Sequence, residues 1–240
     1  MRDFIAKLRV AKIRNAIRRR WFERRVPMLD YATAPGIVDV GTKYGGWMIP
    51  AGLIEPGWTC YCIGAGGDVS FDLELIESYG ARVVRAFDAV ESLAESAREA
   101  GAGVAGFSAH HAAIATEDGP LRMQVTHDSQ SQSVSSAGLY ESDRFITLPG
   151  RTLPSLMAEL GDDHVDLIKM DIEGGEYDVM PAIDLAAIGV KVFSIQLHHT
   201  GSVAQARGLI EGLAAAGYVP VACRPAVKIT FVRRDVLPVA

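Results

Sequence analysis

The chain has 240 residues, 49% of them hydrophobic and 22% charged, with 24 Lys/Arg against 29 Asp/Glu for a formal net charge of −5. That composition describes one globular unit and excludes a disordered, collagen-like or low-complexity chain, while no apolar run reaches the roughly 18 residues of a membrane-spanning helix. Three cysteines, Cys60, Cys62 and Cys223, are too few and odd in number for a disulfide framework, so a reducing, cytoplasmic setting is expected; the first twenty residues also lack the apolar core of a signal peptide.

Charge is unevenly spread. Residues 1–25 hold ten Lys/Arg against Asp3 and Glu23, leaving 14 basic and 27 acidic side chains for the remaining 215. An acidic body speaks against a nucleic-acid partner, because phosphate neutralisation needs a basic face on the domain itself. The basic segment reads as an amphipathic helix, with Phe4, Leu8 and Ala11 on one line and Val10, Ile13, Ile17 and Trp21 on another. It has three possible placements: docked on the acidic body or on a second subunit, in peripheral contact with an anionic membrane surface, or a loose tail. Docking is preferred, and a homodimer is expected. Pro27 and Pro35-Gly36 mark the passage onward, giving an arm and linker over residues 1–35 and one domain over 36–240.

From residue 58, short β-branched runs alternate with helical stretches. Residues 59–63 read as a first strand, 70–78 as a helix, 82–87 as a second strand, 90–100 as a helix and 104–107 as a third strand. Residues 165–170 and 190–197 are further strands and 202–216 a helix. The segments 218–223 and 227–232 form a closing hairpin turned at Arg224-Pro225. This predicts an α/β fold, a doubly wound, seven-stranded, mostly parallel sheet preceded by the basic N-terminal helix. Residues 115–150 interrupt the pattern. There, 121–125 resemble one strand of a hairpin turned at Asp118-Gly119-Pro120, and 127–133 are polar without an apolar period. The stretch reads as a polar lid over the site.

In such a sheet, ligands bind beyond the carboxyl ends of the strands, where strand order reverses. Gly64-Ala65-Gly66-Gly67-Asp68 follows the first strand and lets backbone N–H groups approach a ligand, with Asp68 or Ser70 capping the next helix. A dinucleotide fingerprint wants glycine at 69, where Val69 stands, which argues against NAD. Asp88 ends the second strand roughly 20 residues on, placed for the hydroxyls of a ribose. Gly64, Ala65, Gly66, Asp68 and Asp88 are therefore candidate contacts to an adenosine-containing cofactor, with Ala113 beyond the third strand. A tight turn and a helix cap are the plainer alternatives for the glycines and for Asp88. Further on, an apolar strand runs into Asp171 and Glu173. Two carboxylates so close together serve a cation or a general base, or else cap the next helix.

Asp171-Ile172-Glu173-Gly174-Gly175-Glu176-Tyr177 resembles the signature of FkbM-type methyltransferases. The run from Cys62 to Leu73 resembles a branch whose cofactor loop ends in an Asp-Ile-Ser-Phe-Asp-type sequence, and His198-His199 is similar to the same branch. The resemblance extends over about residues 45–232. It implies a Rossmann-like class I methyltransferase fold, S-adenosylmethionine as cofactor, methyl transfer to oxygen, and acceptors such as sugars and polyketide hydroxyls. Two positions depart from the pattern: Asp88-Ala89 replaces the usual Asp-Pro or Glu-Pro, and Cys62 stands where an acid is common. The basic arm has no counterpart in the signature.

Methyl transfer needs an in-line oxygen and a way to remove its proton, through a histidine base or a divalent cation that lowers the hydroxyl pKa. Asp171, Glu173 and His198 suit either role, and such an oxygen-rich set favours Mg²⁺ or Mn²⁺ over zinc. No spacing of a structural zinc site is present. Alternation lets only one of His198 and His199 face the cleft, and His198 is preferred. His110 or His111 is expected near the adenine, His127 opens the lid, and His164 lies in an exposed turn. The expected activity is an S-adenosylmethionine-dependent O-methyltransferase of a carbohydrate hydroxyl, because a lid of serines and glutamines suits a hydroxyl-rich acceptor. The narrower expectation is a mannoside of methylated-polysaccharide biosynthesis. The alternatives are a polyketide or other small-molecule hydroxyl, a nicotinamide-dependent dehydrogenase (disfavoured by Val69 and the missing Tyr-x-x-x-Lys pair), and a non-catalytic binding module.

Overall fold

The computed structural model describes residues 15–125, 134–136 and 142–238. Residues 15–25 are helical (α1) and lead to a hairpin of β1 (Ile37–Val40) and β2 (Trp47–Pro50). The alternation then begins with β3 (Thr59–Ile63), α2 (Ser70–Glu77), β4 (Val83–Asp88), α3 (Glu91–Ala100) and β5 (Phe107–His111). Four strands follow, β6 (Ala113–Ile114), β7 (Gly119–Val125), β8 (Val134–Ser135) and β9 (Phe145–Arg151), and then α4 (Leu153–Leu160). The chain continues through β10 (Leu167–Met170), the short α5 (Glu176–Val179), β11 (Val192–Gln196), α6 (Val203–Ala215), β12 (Tyr218–Arg224) and β13 (Lys228–Arg233).

Every residue of β3 and β10 is buried, as expected of parallel strands covered on both faces. The central sheet has the order β12-β13-β11-β10-β3-β4-β5, and β13 alone runs antiparallel to its neighbours. This is the predicted seven-stranded, mostly parallel sheet. The two-residue period of the strands sorts the core into layers. Tyr61, Ile63, Ile168, Met170, Phe193 and Phe231 pack against α4, α5 and α6. Cys60, Cys62, Leu167 and Val192 face the other way, onto Trp47 and Ile49 of the hairpin and Phe71 and Leu75 of α2. Strand order reverses between β3 and β10, which fixes where a ligand cleft opens.

Four expectations are corrected. The third strand begins at Phe107, not at 104: Gly106 takes φ +90, and a Cβ there would lie 2.3 Å from the Arg82 carbonyl, so pairing starts only with Val84 and Phe107. Asp118-Gly119-Pro120 turns no hairpin. Gly119 and Pro120 lie in β7 opposite Gly150 and Pro149, while the Asp118 carboxylate accepts from Thr152 N and Ser155 Oγ at the start of α4. The interruption at 115–150 is not simply a loop, because its described residues form a four-stranded sheet, β6-β9-β7-β8, whose backbone groups pair with one another. The polar stretch 127–133, with His127, lies outside the described residues. Finally, the apolar line assigned to the arm faces outward, with Ile17 64% and Trp21 53% exposed. Phe22 and Val26 enter the core instead, because the Arg18 guanidinium donates to the Thr200 carbonyl (2.6 Å) and orients α1 by its other side. The described part of the arm is thus docked on the body, and Phe4, Leu8, Val10, Ala11 and Ile13 lie outside the described residues.

Candidate active site

At the tip of β3 the chain must turn sharply beside the tip of β10. Gly64 does so with φ +73, and a Cβ there would sit 1.8 Å from the Asp171 carbonyl oxygen, so no other residue permits this approach. Asp171 N in turn donates to the Ile63 carbonyl. The buried Lys169 ammonium donates to the Gly64 carbonyl from beneath. A Cβ added at Gly66 or Gly67 meets nothing within 4 Å, so this side of the turn faces open space.

Asp88, 7% exposed, fixes the other flank of the turn. Its two carboxylate oxygens accept from Gly66 N (2.8 Å) and Val90 N (2.8 Å). Burial pushes its carboxyl pKa up against the pull of those two N–H groups. A carboxylate has about four acceptor positions, so capacity remains for a further donor. Asp68 points toward the hairpin, accepting from Thr42 Oγ1 and from Ser70 N (3.0 Å). These hydrogen bonds hold its carboxyl below the ordinary range although burial works the other way.

The tip of β10 carries the acids. Glu173 adopts φ 54, an uncommon conformation for a residue with a side chain, and its carbonyl accepts from Ser135 Oγ of β8. Asp171, Glu173 and His198 bring ligand atoms within 4.8 Å of one another. His198 Nε2 lies 3.8 Å from Asp171 Oδ1 and 3.4 Å from Glu173 Oε2. Behind them Glu176, fully buried, accepts through Oε1 from Ile172 N (3.2 Å), Gly174 N (3.3 Å) and His198 Nδ1 (2.9 Å). Tyr177 Oη donates to the His198 carbonyl at 2.8 Å. One carboxylate thus ties the acidic turn to the imidazole and aims Nε2 at Asp171 and Glu173, as a carboxylate behind a metal-binding histidine does. Burial pulls the His198 pKa down, but the Glu176 hydrogen bond and the charges of Glu176, Asp171 and Glu173 outweigh it and raise the pKa to about 9. Asp171 Oδ1 is buried without a hydrogen-bond partner, and an orphaned carboxylate oxygen fits a cation.

These parts share one cleft of about 350 Å³, within the usual range for small-molecule sites. Gly64, Ala65, Gly66, Asp68, Asp88, Ala113, Asp171 and Glu173 all line it, and His198 backs it. His110 and His111 do not take the place at the cleft expected of one of them. His111 is held by the Ala89 carbonyl (3.0 Å) and His110 stacks on Phe87 with ring centroids 5.4 Å apart, and neither lines the cleft. Ala112 and Ala113 do so in their place. His199 binds Asn15 of α1 (3.1 Å), so His198 is the one at the site. His164 lies in a half-exposed turn beside Asp163 and Asp166.

Several lining residues have no motif to announce them. Tyr44 and Trp47 come from the hairpin, Lys169 from mid-strand, and Gln196 and Lys228 from the ends of β11 and β13. Asp72 is buried beside Cys62 and Lys169, and its carboxyl is pushed up to about 6 by burial in spite of Lys169. An acid in the apolar register of a helix was the signal available.

The sequence model of the methyltransferase FkbM domain matches residues 63–220. No curated protein matches the chain. Among solved structures, a methyltransferase FkbM from Methylobacillus flagellatus KT is 14% identical with a TM-score of 0.48, over 73% of this chain and 43% of that one. TrmK of M. capricolum, in complex with S-adenosyl-homocysteine, is 9% identical with a TM-score of 0.42, over 76% and 65%. A putative RNA methyltransferase from Pyrococcus horikoshii is 12% identical with a TM-score of 0.41, over 90% and 96%. The chain spans less than half the length of the FkbM structure it matches. With the domain matched over more than half of its residues, the chain belongs to the FkbM methyltransferase family.

Proposed function

We propose that the chain is an S-adenosylmethionine-dependent O-methyltransferase acting on a carbohydrate hydroxyl, narrowed to a mannoside of polysaccharide biosynthesis, with Mg²⁺ or Mn²⁺ at Asp171, Glu173 and His198. The observation that carries this reading is the convergence of Gly64–Gly67, Asp88 and the acidic tip of β10 on one cleft. S-adenosylmethionine supplies an electrophilic methyl group when bound, and a divalent cation lowers the pKa of a hydroxyl it coordinates.

The chain's own residues divide the remaining work. Gly66 and Gly67 leave room for the cofactor, Asp88 keeps acceptor capacity for ribose hydroxyls, and Ala113 bounds the adenine side. While three carboxylates hold a proton on His198 at neutral pH, Nε2 has no lone pair to offer an alcohol proton. Asp171, Glu173 and His198 would hold a divalent cation whose charge would offset those carboxylates, and Nε2, positioned by Glu176, would then serve as a ligand. Ser136, Gln196 and Tyr44 stand around the open side, and their hydroxyl and amide groups suit a hydroxyl-rich acceptor. The reading extends to a cytoplasmic homodimer that does not bind nucleic acid and whose basic arm can meet anionic lipid. Among the described residues no helix is long and apolar enough to cross a membrane.

Calorimetry with S-adenosylhomocysteine and NAD, followed by a panel of sugars with labelled cofactor in the presence and absence of chelator, tests the reading. Binding of S-adenosylhomocysteine and labelling of a sugar hydroxyl are expected. Binding of NAD alone overturns the methyltransferase assignment, and full activity in excess chelator overturns the cation.

A further inference from the structure

The charged residues that line the cleft are mostly engaged by the protein itself. Asp68 is held by Thr42 and Ser70, Asp88 by Gly66 and Val90, and Lys169 by the Gly64 carbonyl. Lys228 is different. It opens β13 opposite Gln196 at the tip of β11, is half-buried, and lines the cleft. Its ammonium lies 4.6 Å from the centroid of the buried Trp47 ring, which the Lys169 ammonium also approaches, at 5.8 Å. Among the described residues no hydrogen bond or ion pair engages Lys228 Nζ, and Asp171 and Asp68 act on it only through space.

A lysine half-withdrawn from water with no hydrogen bond or contact ion pair has lost hydration that no hydrogen bond among the described residues replaces. The indole face compensates in part through the attraction of its π cloud for the cation. That contact uses none of the three N–H donors. A ligand oxygen bearing negative charge supplies what is missing, through a charge-assisted hydrogen bond. The hairpin fits this role, since its turn is pinned over the cleft by Thr42 on Asp68 and Trp47 is fully buried, so the ring is a fixed platform.

We propose that Lys228, seated on Trp47, is an oxoanion subsite of the cleft that binds a carboxylate or phosphate. This rests on the cleft being the cofactor and acceptor site proposed above. Two sources carry the same chemistry: the amino-acid carboxylate of the cofactor, or an acidic group on the acceptor such as a uronate or a phosphorylated sugar.

Calorimetry on the full chain decides, comparing wild type with Lys228→Met, which keeps an unbranched stem beside Trp47, and Lys228→Arg, which keeps the charge. The probes are S-adenosylhomocysteine, 5′-methylthioadenosine (the same nucleoside thioether without the amino acid), and glucuronate and inorganic phosphate, each on empty and on S-adenosylhomocysteine-loaded protein. Lys228→Met is expected to weaken an oxoanion-bearing probe about ten-fold or more, with 5′-methylthioadenosine unchanged and Lys228→Arg retaining most of the affinity. A loss confined to S-adenosylhomocysteine assigns the subsite to the cofactor, and a loss confined to glucuronate or phosphate assigns it to the acceptor. Equal binding of every oxoanion by wild type and Lys228→Met, no oxoanion binding at all, or a parallel loss of 5′-methylthioadenosine overturns the proposal. Should wild type bind neither nucleoside, the cofactor reading fails by itself, and the glucuronate and phosphate arms still decide the subsite.

Discussion

Glu176 gives the sharpest test of the site, because this carboxylate positions His198 and makes the largest of the three carboxylate contributions to its charge. Glu176→Gln keeps an acceptor oxygen for Ile172 N, Gly174 N and His198 Nδ1 and removes the charge, placing an amide NH2 where Glu176 Oε2 is buried without a hydrogen-bond partner. The His198 pKa stands at about 9 against an ordinary 6.5, which corresponds to roughly 3 kcal/mol of preference for the imidazolium. Glu176 is its nearest carboxylate, at 2.9 Å, against 3.4 and 3.8 Å for Glu173 and Asp171. In chelator, the His198 imidazole followed by NMR is expected to titrate near pH 9 in wild type and about one unit lower or more in the variant. His110, which burial and the charges of Arg85 and Arg98 hold below its ordinary value and on which His198 does not act, serves as the internal reference. Because the folded-state pKa is raised, the stabilisation is complete below pH 6.5 and disappears as pH rises through about 9. Urea unfolding at pH 6.5 and 9.5 should therefore show wild type losing about 1 kcal/mol more than Glu176→Gln over that interval for each unit by which the variant lowers the pKa. A wild-type midpoint at or below 6.5, or one that Glu176→Gln leaves unmoved, would refute the electrostatic account of this site.

Other expectations follow from the same geometry. Asp171→Asn removes a ligand with an orphaned oxygen, and Mn²⁺ affinity read by electron paramagnetic resonance should fall about ten-fold or more with the fold intact; undiminished affinity takes Asp171 out of the cation site. Gly64→Ala forces a Cβ into the Asp171 carbonyl and should lower stability by roughly 3 kcal/mol or more, so an unchanged melting temperature would mean that β3 and β10 are not in this register. For the arm, Phe22→Ala should cost about 3–5 kcal/mol and Trp21→Ala no more than about 0.5 kcal/mol. The reverse order in urea titrations would turn α1 over.

The central strands were legible because a strand buried on both faces is largely apolar, as Thr59–Ile63 and Leu167–Met170 are apart from Thr59 and Lys169. The acidic turn was legible because Asp171 and Glu173 stand together at a strand end, whereas the part played by Glu176 behind them emerged only from its contacts with Ile172, Gly174 and His198. Elsewhere the pattern carried little information. β9 is largely exposed, so its residues show no buried face. β5 carries His110 and His111, and burial on the sheet required no apolar run there. In α1 the repeat of Ile17 and Trp21 marked an apolar line that the fold leaves in solvent, since hydrophobic spacing states that a face is apolar but not what covers it.

Local sequence therefore sufficed for the alternation of strand and helix, the glycine turn and the Asp171 and Glu173 pair, because each depends on contacts within a few residues. The meeting of Trp47, Lys169, Lys228 and His198 around that turn depended on strand order. Those residues lie far apart along the chain and become neighbours only when β10 and β11 pair beside β3, β13 inserts antiparallel, and the first hairpin folds over the top. No local preference encodes such contacts, since they arise from burying both faces of one sheet at once.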